Sequence, residues 1–102
     1  YLGHGVPQDY MHALSYIQAA AEAGLSAAQA QLGYMYQAGE ALSDPDPVKA
    51  VEWFQKAADQ NNVTAIRNLA AMYEKGLGVP QGKKQAIELY TQASRLSALG
   101  WV

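Results

Sequence analysis

Apolar side chains recur along this chain at helical spacing, and the same pattern returns one repeat later. In residues 26–38, Ala28, Leu32, Met35 and Tyr36 are separated by steps of three and four, which places them on one face of a helix. Ala65, Leu69, Met72 and Tyr73 carry the same face 37 residues on. Gly39 and Gly76 follow these helices, where a left-handed residue commonly ends one. We term these the A helices. A second set, the B helices, is expected over roughly 9–23, 46–60 and 82–96. Asp9 and Asp46 stand four residues before Ala13 and Ala50, where a carboxylate can accept hydrogen bonds from unpaired N–H groups at a helix start. Gly82 holds that place in the last copy, so its cap should be weaker.

The repetition extends beyond the helices. Ala13, Ala50 and Ala86 recur at intervals of 37 and 36 residues, and the same offsets superpose Ala20, Ala57 and Ala93, then Ile17, Phe54 and Tyr90. The turn is copied as well: Gly3-His4-Gly5-Val6-Pro7-Gln8 returns as Gly76-Leu77-Gly78-Val79-Pro80-Gln81, sharing one expected backbone path. The middle turn, Gly39 followed by Glu40-Ala41-Leu42-Ser43-Asp44-Pro45, is one residue longer. A period of this size signals stacked helical hairpins, each covering the apolar side its neighbour leaves open. Ala20, Ala57 and Ala93, with Gly33 and its equivalent Ala70, are expected where helices approach closely. Ile17, Phe54 and Tyr90 are expected to fill the wider gaps between repeats, and Tyr36 and Tyr73 to plug the space between A and B helices.

These residues resemble a known family. The run Ala28-x-x-x-Leu32-Gly33-x-x-Tyr36-x-x-Gly39, followed by Asp46-x-x-Lys49-Ala50-x-x-Trp53-Phe54-x-Lys56-Ala57-Ala58, is similar to the Sel1-like repeat, a relative of the tetratricopeptide repeat with a longer turn between its helices. The Gly-x-Gly-Val element in two of the three turns makes the resemblance specific. It implies an all-α, right-handed α-solenoid of antiparallel helix hairpins, with the A helices on the concave side. Ala70 and Asn61-Asn62 depart from glycines expected by the pattern, the second of these represented by Gly24.

The register also frames the ends. Tyr1-Leu2-Gly3 aligns with Glu74-Lys75-Gly76, so residues 1–102 read as a single array of about 2.5 to 3 repeats whose first A helix is missing, a piece of a longer protein. Trp101 aligns with Ala65, so Ala98 to Val102 read as the start of another A helix or as a terminal cap. Exposed repeat ends of this kind could support self-association.

Composition narrows the function classes. Half of the 102 residues are apolar, enough for one core. A net charge of −2 gives no basic footprint for nucleic acid. No apolar run approaches the roughly 20 residues that cross a bilayer. With no cysteine there is no disulfide framework, thiolate metal site or thiol nucleophile.

Candidate chemistry is sparse. Gly76-x-Gly78-x-x-x-Gly82 follows a helix rather than a strand and lacks the Lys-Ser/Thr ending of a phosphate loop. His4 and His12 lack metal-ligand spacing and read as solvent-exposed. Glu40, Asp44 and Asp46 share a loop, but Pro45 and Pro47 stiffen it and the spacing is not that of an EF-hand. No Gly-x-Ser-x-Gly or Ser-x-x-Lys occurs, so no hydrolytic nucleophile is visible. Trp53, Phe54, Tyr36 and Tyr73 sit at repeat positions and read as core rather than a ligand cage.

What remains is surface. The resemblance implies that partners lie along the A-helix face, which would present Ala27, Ala30, Tyr34, Gln37 and Ala38, then Thr64, Arg67, Ala71, Glu74 and Lys75. Tyr34 and Arg67 stand out as residue types that carry interface energy. The expected binding set is Tyr34, Gln37, Thr64, Arg67, Ala71 and Glu74. The resulting expectation is a non-enzymatic adaptor or scaffold that binds a protein or peptide and needs no cofactor, in signalling, secretion, envelope or host-contact assemblies. Two alternatives follow from the resemblance: β-lactam binding or hydrolysis, attributed to cysteine-rich relatives unlike this chain, and inhibition as an immunity protein.

Overall fold

The computed structural model describes residues 8–39 and 45–100, the side chains of residues 8–11 apart. Its helices are α1 (Gln8–Glu22), α2 (Ser26–Ala38), α3 (Pro47–Ala58), α4 (Val63–Lys75) and α5 (Lys83–Ala98), with no strand among the described residues. α2 and α4 are the A helices, and α1, α3 and α5 the B helices. Each packs on its neighbours in sequence: α1 on α2, α2 on α3, α3 on α4 and α4 on α5. The chain is an all-α helical solenoid. The first and middle repeat turns, and Trp101, lie outside the described residues, so the shared path of the first and third turns is not visible.

The helix ends follow from particular residues. At the start of α3, Asp46 Oδ1 accepts a hydrogen bond from the Lys49 N–H at 3.1 Å, and Pro47 occupies a first-turn position where no N–H is needed. Gly82 precedes α5 without a side-chain cap. Asp9 falls inside α1, and its side chain is not among those described. Gly39 and Gly76 close α2 and α4 in the left-handed region, at φ 78° and 71°. Asn61 takes the same region, φ 63°, at the position Gly24 occupies with φ 100°. Asparagine tolerates that conformation better than other side chains, so the tight turn survives the loss of its glycine. Asn62 then caps α4, its side-chain oxygen accepting from the Ala65 N–H at 2.9 Å.

The core forms two adjoining clusters. Leu14 and Ala21 of α1 meet Leu32 and Met35 of α2, with Trp53 of α3 packed against them. Ala50, Phe54 and Ala57 of α3 meet Ile66, Leu69 and Met72 of α4, with Ala93 of α5. An amide clasp joins the repeats at one end. Gln29, 5 % exposed, donates from Nε2 to the Ala21 carbonyl at 3.1 Å, and Gln60 Nε2 donates to Gln29 Oε1 at 3.0 Å and to the Gly24 carbonyl at 2.9 Å.

Two packing expectations need correction. Tyr36 and Tyr73 are half-buried at the core's margin, while the preceding residues, Met35 and Met72, point fully inward. Their rings instead support cationic neighbours or the core edge, with Lys49 Nζ 5.6 Å from the Tyr36 ring centre. Of the series Ile17, Phe54 and Tyr90, only Phe54 is fully enclosed; Tyr90 is 40 % exposed because no further helix covers α5 among the described residues. Ala13 is exposed for the mirror reason, since no described helix stands before α1 as α2 stands before α3.

Candidate functional site

Two A helices separated by a B helix leave a furrow between them. An open groove of 370 Å³ runs between α2 and α4, walled by Ala27, Ala30, Gln31 and Tyr34 from α2 and by Thr64 and Asn68 from α4, with Asn62 at the α4 cap. Tyr34 presents about half its surface to solvent. The alanines make a low floor, because larger side chains there would fill the furrow. No charged residue lines it. The four expected residues Ala27, Ala30, Tyr34 and Thr64 therefore come together, as the repeat register requires.

The other expected residues are dispersed. Arg67 stands one repeat after Ala30, at the position that on α2 faces the next hairpin. Its guanidinium donates to Ser97 Oγ of α5 at 3.3 Å, and it is not on the wall of the groove. Tyr34 thus lines the groove and Arg67 does not. Glu74 is engaged on the α5 side, where Tyr90 Oη donates to its carboxylate at 3.2 Å. The Tyr90 phenol is pushed above its ordinary range by partial desolvation, then by the Glu74 charge and the hydrogen bond to it. Gln37 and Ala71 are half-buried along the A helices, outside the groove wall.

Gln31, Asn62 and Asn68 are groove residues that the sequence reasoning missed. A signal was present: Gln31 and Asn68 are repeat equivalents, 37 residues apart, and both are amides in otherwise alanine-rich helices. Beyond Gln31 the furrow continues into a second depression of 340 Å³, lined by Tyr16, Ile17, Ala20 and Leu25 along α1 and the turn after it, and by Ser26, Ala27, Ala28 and Gln31 of α2. It too carries no charged side chain. Among the described residues no three His, Asp or Glu side chains cluster as metal ligands, and no helix is long and apolar enough to cross a membrane. His12 is exposed, as expected.

Comparison with known proteins agrees with the register of these helices. The Sel1 repeat family pattern matches residues 1–25, 26–62 and 63–97. The chain belongs to the Sel1 repeat family. Its last two matched units begin where α2 and α4 begin. Among solved structures, a Sel1 repeat protein from Oxalobacter formigenes shares 36% identity with a TM-score of 0.81, over 91% of this chain and 69% of that one. A protective antigen of uropathogenic Escherichia coli strains, displaying an SLR fold, matches with the same identity and TM-score over 91% of this chain and 20% of its own. Among curated proteins, the DAP3-binding cell death enhancer 1 of Rattus norvegicus is 34% identical over 84 residues, and that of Mus musculus 33%. The chain spans 82% of itself in these matches but only 16% of either relative's length. Sel1 repeat proteins generally mediate protein–protein interaction and are typically non-catalytic modules.

Proposed function

We propose that this Sel1 repeat chain is a non-catalytic binding module and that the groove between α2 and α4 receives a segment of another protein. The observation that carries this reading is the groove itself: an open, uncharged furrow of 370 Å³ with Tyr34 on its wall, on the face that the repeat leaves uncovered. Aromatic side chains held on rigid helices give large contact area at low entropic cost, and such anchors carry much of the energy of interfaces. The rat relative bears the name of a protein that binds DAP3, which supports a partner of the protein class for this fold. Thr64 stands across the furrow from Tyr34 and belongs to the binding set; Arg67 and Glu74, turned toward α5, belong to its margin.

Site-specific photocrosslinking tests the proposal. A benzoylphenylalanine placed at Tyr34 should capture protein adducts in cells of the source, whereas the same probe at Glu52, exposed on α3, should not. Equal capture at both positions, or capture at Glu52 alone, would move the interface to the B-helix side.

A further inference from the structure

We propose that Gln31 and Asn68 form an amide ladder that reads the backbone of an extended, uncharged peptide segment. The inference rests on the binding face proposed above and names the chemistry of its partner. The two side chains occupy equivalent positions on α2 and α4 and wall the same groove. Neither makes a hydrogen bond among the described residues, in contrast to Gln29, Gln60 and Asn62, whose amides are engaged within the solenoid. A primary amide offers a donor and an acceptor side by side, the complement of the N–H and C=O that an extended residue presents outward.

Gln31 and Asn68 stand on opposite walls of the furrow, on A helices with the B helix α3 between them. An extended chain leaves N–H and C=O groups free along its length, so one segment crossing from α2 to α4 can offer a peptide group to each amide, with its side chains over Ala27, Ala30 and Tyr34. A helical ligand lacks free backbone groups for such contacts. The chain carries seven Lys/Arg and nine Asp/Glu, yet none lines this groove or the depression beyond Gln31. A charged ligand would find no counter-charge there, while an apolar side chain could seat against Tyr16, Ile17 and Leu25. The occupant is thus an extended segment without charge across its central residues, with an apolar side chain toward α1, and its binding is nearly independent of salt.

Peptide display on the immobilised 102-residue chain supplies a probe. Enriched peptides should lack Lys, Arg, Asp and Glu in their shared core. The best of them, synthesised and titrated by calorimetry, should lose about tenfold in affinity for Gln31→Ala and again for Asn68→Ala, each variant being shown folded by circular dichroism. N-methylation of single peptide bonds should cut affinity at two separate positions, a readout independent of any change to the protein. Full affinity in both amide variants, or indifference to N-methylation at every position, overturns the ladder. If Tyr34→Ala still weakens binding in that case, the groove reading survives without it. Indifference to Tyr34→Ala as well overturns both, and so does failure to enrich any peptide over the bare support.

Discussion

Gly33 and Phe54 are a fitted pair: a Cβ added to Gly33 would stand 2.8 Å from both Cδ1 and Cε1 of the Phe54 ring, and 3.2 Å from the Ala50 carbonyl oxygen. The ring is fully buried and cannot swing aside. Glycine is therefore what lets α2 and α3 close around a large aromatic. The next repeat makes the opposite choice. Ala70 stands in place of Gly33, and Tyr90, in place of Phe54, lies partly in solvent with its hydroxyl on Glu74.

Gly33→Ala should therefore destabilise the wild-type chain but not a variant with a smaller partner. Alanine gains about 1 kcal/mol of helix propensity, against roughly 1–3 kcal/mol lost to overpacking. We expect a net loss of about 1 kcal/mol in wild type and a net gain in Phe54→Leu. A double-mutant cycle by urea denaturation reads both; the same sign in both backgrounds would show that the contact is slack.

The half-burial of Tyr36 and Tyr73 sets their cost below that of the methionines beside them. Met35→Ala and Met72→Ala should each cost about 2–5 kcal/mol, as buried truncations do. Tyr36→Ala and Tyr73→Ala should cost about 1–2 kcal/mol, reflecting the smaller area removed from water. Thermal melts of the four variants decide the order.

Gly78 and Gly100 separate backbone strain from collision. Both have positive φ, 74° and 91°, but a Cβ at Gly78 would strike the Pro47 carbonyl and Val51 of the preceding repeat, while one at Gly100 meets nothing within 4 Å. Gly100→Ala should cost about 1 kcal/mol, the left-handed penalty alone. Gly78→Ala should cost at least about twice that, because the turn must also lift off α3. Equal losses would mean that this turn does not lock the two repeats together.

The Tyr90–Glu74 contact gives a pH signature. Partial desolvation and the neighbouring carboxylate raise the phenol's titration above its ordinary value. The folded state therefore holds this proton more tightly than the unfolded chain, so the contribution to stability falls as pH rises past the unfolded phenol's range. Glu74→Gln should move the phenolate absorbance titration back toward the ordinary value. An unchanged titration would mean that the carboxylate does not face the phenol in solution.

The fold was legible because periodicity alone fixes which faces must meet. Leu32, Leu69, Phe54, Ala57 and Ala93 were read correctly from their recurrence, and Gly39, Gly76 and Asp46 from the conformations their chemistry favours. The aromatic positions were less legible. A tyrosine at a repeat position looks like core in sequence, but whether it is enclosed depends on what stands beyond it, as Tyr90 shows. The groove was half legible for the same reason. Tyr34 and Thr64 follow from helix facing, whereas the long side chain of Arg67 reaches sideways to Ser97 and leaves it off the groove wall. Gln31 and Asn68 were passed over although they recur 37 residues apart, because an amide at a repeat position draws notice only once its lack of a partner is seen.

The most direct test of the account is to map where a display-selected peptide touches the chain, using amide chemical-shift changes on the isotope-labelled protein. Shifts concentrated at residues 27–34 of α2 and 62–68 of α4, including Tyr34, Thr64 and Asn68, are the predicted result. Shifts confined to the outer faces of α3 and α5, with α2 and α4 unmoved, would contradict it.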